Sequence, residues 1–241
     1  MSDPIALYSD PAVTPATGER FLIPGSVGVL EAQLDSARAD VRSRLRQPPI
    51  AVVCHPHPLH GGTLTNKVAH TLAKAFVELG VTTLRFNFRG VGASQGGYDQ
   101  GRGEVDDLFA AVAWLRARHP QSPLWLAGFS FGAYVALMSQ ATAQAERLLL
   151  VAPPVAMFDF SAESGVQIPW MVVQGGADEI VDPQQVSAWV QQQANAPEYC
   201  WIDGAGHFFH GQLVVLKQQI HHAWSGALQA RTDHNPGHAQ V

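Results

Sequence analysis

The chain has 241 residues, 46% of them hydrophobic and 15% charged, with a net charge of −5 at neutral pH. That composition excludes intrinsic disorder as the main state, and the length fits one domain that buries about 70% of its unfolded surface. The mild acidity leaves no basic footprint for nucleic acid or an anionic membrane, no apolar run reaches about 18 residues, and the start MSDPIALYSD has acids where a secretory signal needs a basic flank.

In chain order, residues 1–20 hold three prolines and no apolar period, and they read as a flexible arm. Phe21–Pro24 and Val27–Leu34 read as strands at an antiparallel edge. Ile50–Cys54 (IAVVC) is a buried strand, followed by a loop rich in histidine, proline and glycine. Asn66–Leu79 is a helix, with Val68, Leu72, Ala75 and Phe76 on one face. Val81–Phe88 is a strand, and a glycine-rich loop leads to a helix over Glu104–Arg118. Leu124–Ala127 is a strand, Phe131–Ser139 a helix, and Arg147–Val151 and Trp170–Val173 are strands. Val186–Gln193 is a helix, Tyr199–Ile202 a strand and Phe208–Leu228 a long amphipathic helix, beginning at His207 and leaving His221 and His222 exposed. Residues 21–228 thus form one domain and 229–241 a polar tail. Strands alternating with helices predict a parallel sheet covered on both faces. Cys54 and Cys200 lie in separate apolar runs and read as reduced, buried thiols of a cytoplasmic protein.

Two segments match G-x-S-x-G, the pattern of a serine on a tight strand-to-helix turn: Gly92–Gly96 around Ser94 and Gly128–Gly132 around Ser130. Ser130 lies between an apolar strand and the helix former FGAYVALMSQ, so it has the required context. Ser94 lies among six glycines, where no helix can follow at once, and it reads as a loop residue. A serine hydroxyl attacks only when a histidine takes its proton, and that histidine needs an acid to orient it. Asp178 follows the strand ending at Val173, with Glu179 and Asp182 as competitors. Asp182, directly before Pro183, fits a helix N-cap better. His207 follows the strand ending near Ile202, and His210 lies a turn later.

The negative charge that develops during acyl transfer needs backbone N–H donors. Phe131, directly after Ser130, is one candidate. His57, in the loop CHPHPLHGGT, is the other. His55, His57 and His60 in that loop also suggest a metal site, but no carboxylate follows closely, and loop-shaping imidazoles are the better reading. Phe129, Met157, Phe158 and Phe160 are candidates to line an acyl pocket. A dinucleotide fingerprint fails at Gln95, and no P-loop occurs.

The motifs CHPHPLHGGT, LRFNFRGVGAS, LAGFSFGA, QGGADEIVD and DGAGHFF, in that order, resemble the α/β-hydrolase superfamily, in particular its small bacterial members without a lid domain. The resemblance runs from about Gly25 to about Ile220. It implies an eight-stranded, mostly parallel sheet and a triad of Ser130, Asp178 and His207, with His57 and Phe131 as oxyanion donors. Arg89 and Gly90 match a structural turn. Many relatives have proline directly after the residue equivalent to Val181, where this chain has Asp182. The implied activity is hydrolysis of a small carboxylic ester, with no metal or other cofactor and with neither nucleic acid nor membrane as partner. The alternatives are a thioester or amide substrate for the same machinery, or a hydrolase-like binding protein. The 18 residues between Val151 and Trp170 are too few for a lid with its own core.

Overall fold

The computed structural model describes residues 5–160 and 165–229. Its strands are β1 (Arg20–Gly25), β2 (Gly28–Asp35), β3 (Ile50–Cys54), β4 (Thr82–Phe86), β5 (Leu124–Phe129), β6 (Arg147–Val151), β7 (Trp170–Gly175) and β8 (Glu198–Ile202). They form one sheet in the order β1-β2-β4-β3-β5-β6-β7-β8. β2 runs antiparallel to both β1 and β4, and every other pair is parallel. This is the α/β-hydrolase architecture, and residues 152–169 between β6 and β7 contain no helix among those described.

The apolar runs explain the layering. Every residue of β3, β4, β5 and β7 is buried. Strands covered on both faces need no polar alternation. Successive side chains of a strand face opposite sides, so Val52, Leu126, Leu148 and Val172 join one core layer while Val53, Trp125, Leu149 and Val173 join the other. The helices α3 (Arg102–Arg118), α4 (Phe131–Ser139) and α5 (Pro183–Gln191) cover the first layer, and α2 (Lys67–Glu78) and α6 (Leu213–Gln229) cover the second. A four-residue helix, α1 (Ala39–Arg42), precedes β3. In the second layer Trp224 stacks on Phe76 at 5.5 Å and meets Trp125 edge-on at 5.0 Å, which locks α6 onto α2. Such aromatic pairs contribute about 0.5–1.5 kcal/mol beyond their buried area.

Polar pins close the antiparallel edge. Asp107 of α3 is fully buried and accepts three hydrogen bonds from the Arg89 guanidinium and one from its backbone N–H. Ser94 is buried as well. Its hydroxyl donates to the Asn87 carbonyl at 2.7 Å and accepts the Glu31 N–H at 2.9 Å. The G-x-S-x-G segment around Ser94 is therefore a clasp between β2 and the end of β4.

Several expectations are corrected. The segment before β1, expected as a loose arm, is docked over its described residues. Leu22 donates to the Ala6 carbonyl and accepts from Tyr8, the Trp114 indole donates to the Tyr8 carbonyl, and Arg118 holds the carbonyls of Asp10 and Val13. The last helix starts at Leu213 rather than Phe208, because Phe209 and Gly211 adopt φ of 51° and 74°, which a right-handed helix cannot include. His221 is half-buried, against the Ala75 carbonyl and Glu78. Cys54 is buried, but Cys200, on the edge strand β8, is only partly so, and both are free thiols. Among the described residues no helix is long and apolar enough to cross a membrane. Of the tail expected over 229–241, Gln229 closes α6 and residues 230–241 lie outside those described.

Candidate active site

Parallel strands deliver the loops after β3, β5, β7 and β8 to the same carboxyl edge of the sheet, where sites of such folds are built. Ser130 tops β5. Its φ of 55° and ψ of −121° are strained for a residue with a side chain, a cost of about 1–3 kcal/mol. Neighbouring structure holds the strain in place: the Ser130 N–H donates to the Val151 carbonyl at 2.8 Å, and the Ser130 carbonyl accepts the Ala133 N–H at 2.8 Å.

His207 lies 3.1 Å from the Ser130 hydroxyl through Nε2, and 2.8 Å from Asp178 Oδ2 through Nδ1. Asp178 and His207 are both buried. The second Asp178 oxygen accepts the N–H groups of Ile180 and Val181 at 2.9 and 2.8 Å. Burial works to raise the Asp178 pKa. The His207 hydrogen bond and the two backbone N–H groups outweigh it, so the carboxyl is held below its ordinary value and stays ionised. An ionised Asp178 only accepts, so Nδ1 of His207 carries the ring proton and Nε2 presents its lone pair to Ser130.

Two further contacts fix these groups. Buried Gln174, the polar residue next to last in the otherwise apolar strand β7, donates to Asp178 Oδ2 at 3.1 Å. Glu179 accepts the backbone N–H of His207 at 3.1 Å. Glu179 thus holds the main chain of His207 and not its ring. Asp182 caps α5 by accepting the Gln184 N–H at 2.9 Å and is exposed. His210 is exposed, with its ring 5.9 Å from that of Phe208.

The loop after β3 approaches from the other side. His57 is half-buried. Its Nδ1 accepts the Leu59 N–H, capping a single 3-10 turn over Pro58–His60, and its Nε2 lies 3.1 Å from the Tyr98 hydroxyl. Burial lowers its pKa, and neighbouring His60 adds to the effect. Among the described residues, neither the His57 nor the Phe131 backbone N–H donates to a protein acceptor. His55 does not share a metal site with His57 and His60, because both its ring nitrogens are engaged, with the Phe88 N–H and the Pro56 carbonyl. Among the described residues no cluster of three or more histidine, cysteine or acidic side chains could hold a metal ion.

The four pocket candidates divide. Phe129 is fully buried, its ring 4.9 Å from that of His207, and it supports the imidazole from within the core. Phe160 is buried between Tyr134 and Trp189. Those two are core residues rather than an accessible lining, because their rings fill the layers that hold the loops. Phe158 is half-buried, stacked on Tyr134 at 4.8 Å and edge-on to Phe131 at 5.4 Å, while Met157 is 58% exposed. Met157 also borders a cleft of about 120 Å³ with Pro154, Ile180, Val181 and Gln185. The sequence reasoning missed Gln174, Tyr98 and Tyr134. A glutamine next to last in an otherwise apolar strand was a legible signal for the first, but nothing local marked the tyrosines.

Comparison with known proteins places this geometry in context. The family model described as serine aminopeptidase, S33, matches residues 47–166. A solved α/β serine hydrolase without lid from Xanthomonas campestris is 43% identical, with a TM-score of 0.83 over 90% of this chain and 97% of that one. An α/β serine hydrolase homologue from Coxiella burnetii is 45% identical, with a TM-score of 0.81 over 86% of this chain and 98% of that one. An uncharacterized protein of Rickettsia prowazekii is 39% identical over 72% of this chain and 82% of its own length.

Proposed function

The chain belongs to the α/β-hydrolase superfamily, and from that premise we propose that it hydrolyses small carboxylic esters through an acyl-enzyme. The observation that carries this reading is the continuous hydrogen-bonded line from Ser130 through His207 to ionised Asp178. It ends on a serine held in a strained strand-to-helix turn.

His207 Nε2 takes the hydroxyl proton as Ser130 Oγ attacks the ester carbonyl. The imidazolium that forms is stabilised by Asp178, and the carbonyl oxygen, now negative, is received by the N–H groups of Phe131 and His57. His207 then gives its proton to the departing alkoxide, leaving the acyl group on Ser130. Water, deprotonated by the same histidine, attacks the acyl carbon, and the bond to Ser130 Oγ breaks as His207 returns the proton to that oxygen, releasing the acid and restoring the enzyme. Each step needs only a proton acceptor on Nε2 and two fixed donors, and no cofactor takes part.

The description of the matching family model favours a second reading, in which the same groups cleave an amide bond. An amine is a poorer leaving group than an alkoxide, so its departure depends more heavily on the proton from His207. A fluorophosphonate probe that labels Ser130 tests the nucleophile. A panel of matched esters, thioesters and amides, compared by kcat/KM, tests the substrate class. Amides outrunning esters would replace the first reading with the second.

A further inference from the structure

The loop after β3 keeps its shape through His55. The imidazole is fully buried, with Phe88 edge-on to it at 4.6 Å. Its Nε2 accepts the Phe88 backbone N–H at 3.0 Å and is therefore unprotonated. The proton of the neutral ring sits on Nδ1, which donates to the Pro56 carbonyl at 2.6 Å. Burial pushes the His55 pKa down to about 4, so this tautomer persists at neutral pH.

The Pro56 oxygen and the His57 N–H belong to one peptide unit. That unit is trans, and across a trans peptide C=O and N–H point in opposite directions. Holding the oxygen therefore aims the hydrogen. Two glycines clamp the same stretch. A Cβ on Gly62 would lie 2.0 Å from the Pro56 oxygen, so the returning loop presses directly on this unit. A Cβ on Gly132 would lie 2.5 Å from the carbonyl oxygens of both Cys54 and His55, so the turn bearing Phe131 presses on the residue before it. The His57 carbonyl, turned inward, accepts from His60 and Gly62 at 3.1 and 3.0 Å.

We infer that His55 is a positioning residue for acyl transfer: its Nδ1–H holds the Pro56–His57 peptide so that the His57 N–H meets the oxyanion formed at Ser130. The inference rests on the proposed role of Ser130 as nucleophile. A peptide free to rotate is a donor lost, and loss of one such donor lowers kcat by about 10²–10³.

The test uses the full chain and p-nitrophenyl acetate, with kcat and KM resolved. It also uses a trifluoromethyl ketone, whose hemiketal oxygen occupies the same position as the oxyanion. His55→Gln can supply an acceptor near Nε2 for Phe88 but nothing at Nδ1, whereas His55→Asn supplies a donor near Nδ1. The glutamine variant should lose about 100-fold or more in kcat, with KM within about threefold and the ketone weakened by a like factor. The asparagine variant should stay within about tenfold of the parent. The reverse ranking, or a loss confined to KM or to the melting temperature, overturns the proposal. Gly62→Ala gives an independent reading if neither ring variant folds. Its Cβ displaces the Pro56 oxygen with the imidazole intact, so kcat should again fall about 100-fold, and an unchanged kcat overturns the proposal. Fluorophosphonate labelling of the parent separates the two levels. A parent that does not label at Ser130 removes the nucleophile and the inference with it. A parent that labels, beside a glutamine variant at full kcat, removes only the role of His55.

Discussion

Gly128 lies directly over the carbonyl of Gly132: a Cβ on the first would stand 2.0 Å from the oxygen of the second. No rotamer relieves a clash with backbone, so the first glycine of the Ser130 motif is required by contact with the last. The segment around Ser94 repeats the letters for other reasons. There a Cβ on Gly92 would meet Glu31 and Asn87 side chains, and Gly92 and Gly96 have φ of 58° and 88°. The same pattern thus forms a strained strand-to-helix turn once and a clasp once.

The two serines should separate cleanly. Ser130→Ala should lower kcat about 10⁶-fold, as deletions within a triad do. Ser94→Ala removes two buried hydrogen bonds and should cost about 1–3 kcal/mol of stability, with kcat within about tenfold. Ester kinetics and denaturant unfolding on both variants check this, and comparable losses of kcat would refute it.

The acids should separate as well. Asp178→Asn should lower kcat on the order of 10⁴-fold, because the imidazole loses both its tautomer and its compensating charge. Asp182→Ala removes an exposed cap and should lower the melting temperature while leaving kcat within about threefold. If the Asp182 variant proves the slower enzyme, the acid has been assigned to the wrong residue.

Acid should destabilise the fold through His55. An unfolded histidine titrates near 6.5 and His55 in the fold near 4. Between those values the unfolded chain binds a proton that the folded chain refuses, so stability falls as pH drops from about 6.5 to about 4, by about 3 kcal/mol in all. His57, His70 and His119, also lowered chiefly by burial, act in the same sense. Asp178, held below its ordinary value, extends the loss to lower pH still. The contribution of His55 is therefore the difference between parent and His55→Asn in melting temperature across that window. Parallel curves would show that His55 contributes nothing to it.

Chelation should leave kcat unchanged. His55 has no free ring nitrogen, and those of His57 face the Leu59 N–H and the Tyr98 hydroxyl. His60→Ala should stay within about threefold of the parent, since its ring only stacks on His57 at 4.4 Å. Stoichiometric zinc whose removal abolishes activity would contradict both statements.

Short acyl chains should be preferred. Met157 stands exposed beside half-buried Phe158, and the described part of the segment from β6 to β7 forms no helix above them. Each methylene left in water forgoes about 0.8 kcal/mol of binding. Across nitrophenyl esters of two to sixteen acyl carbons, kcat/KM should peak at the short end. A peak at the long end, or a rise above the micelle concentration, would refute the open site.

Properties set over a few neighbouring residues were legible in the amino-acid order. Apolar runs placed β3, β6 and α4 with their observed ends, since a strand buried on both faces and a helix that follows a tight glycine-flanked turn declare themselves locally. The glycines around Ser130 and the chain order of Ser130, Asp178 and His207 were readable for the same reason. What the order could not reveal depends on partners far along the chain. Tyr8 is held by Trp114, 106 positions away, Phe129 turns out to lie under His207, and Ser94 is tied to β2. The register of β3 against β5 sets Cys54 beside Gly128, and with Gly132 pressing on His55 it fixes which peptide His55 can hold. Local sterics and periodicity act within a turn or a strand. The tertiary structure alone decides which buried donors and acceptors meet, because each must be satisfied by whatever the packing brings within about 3 Å.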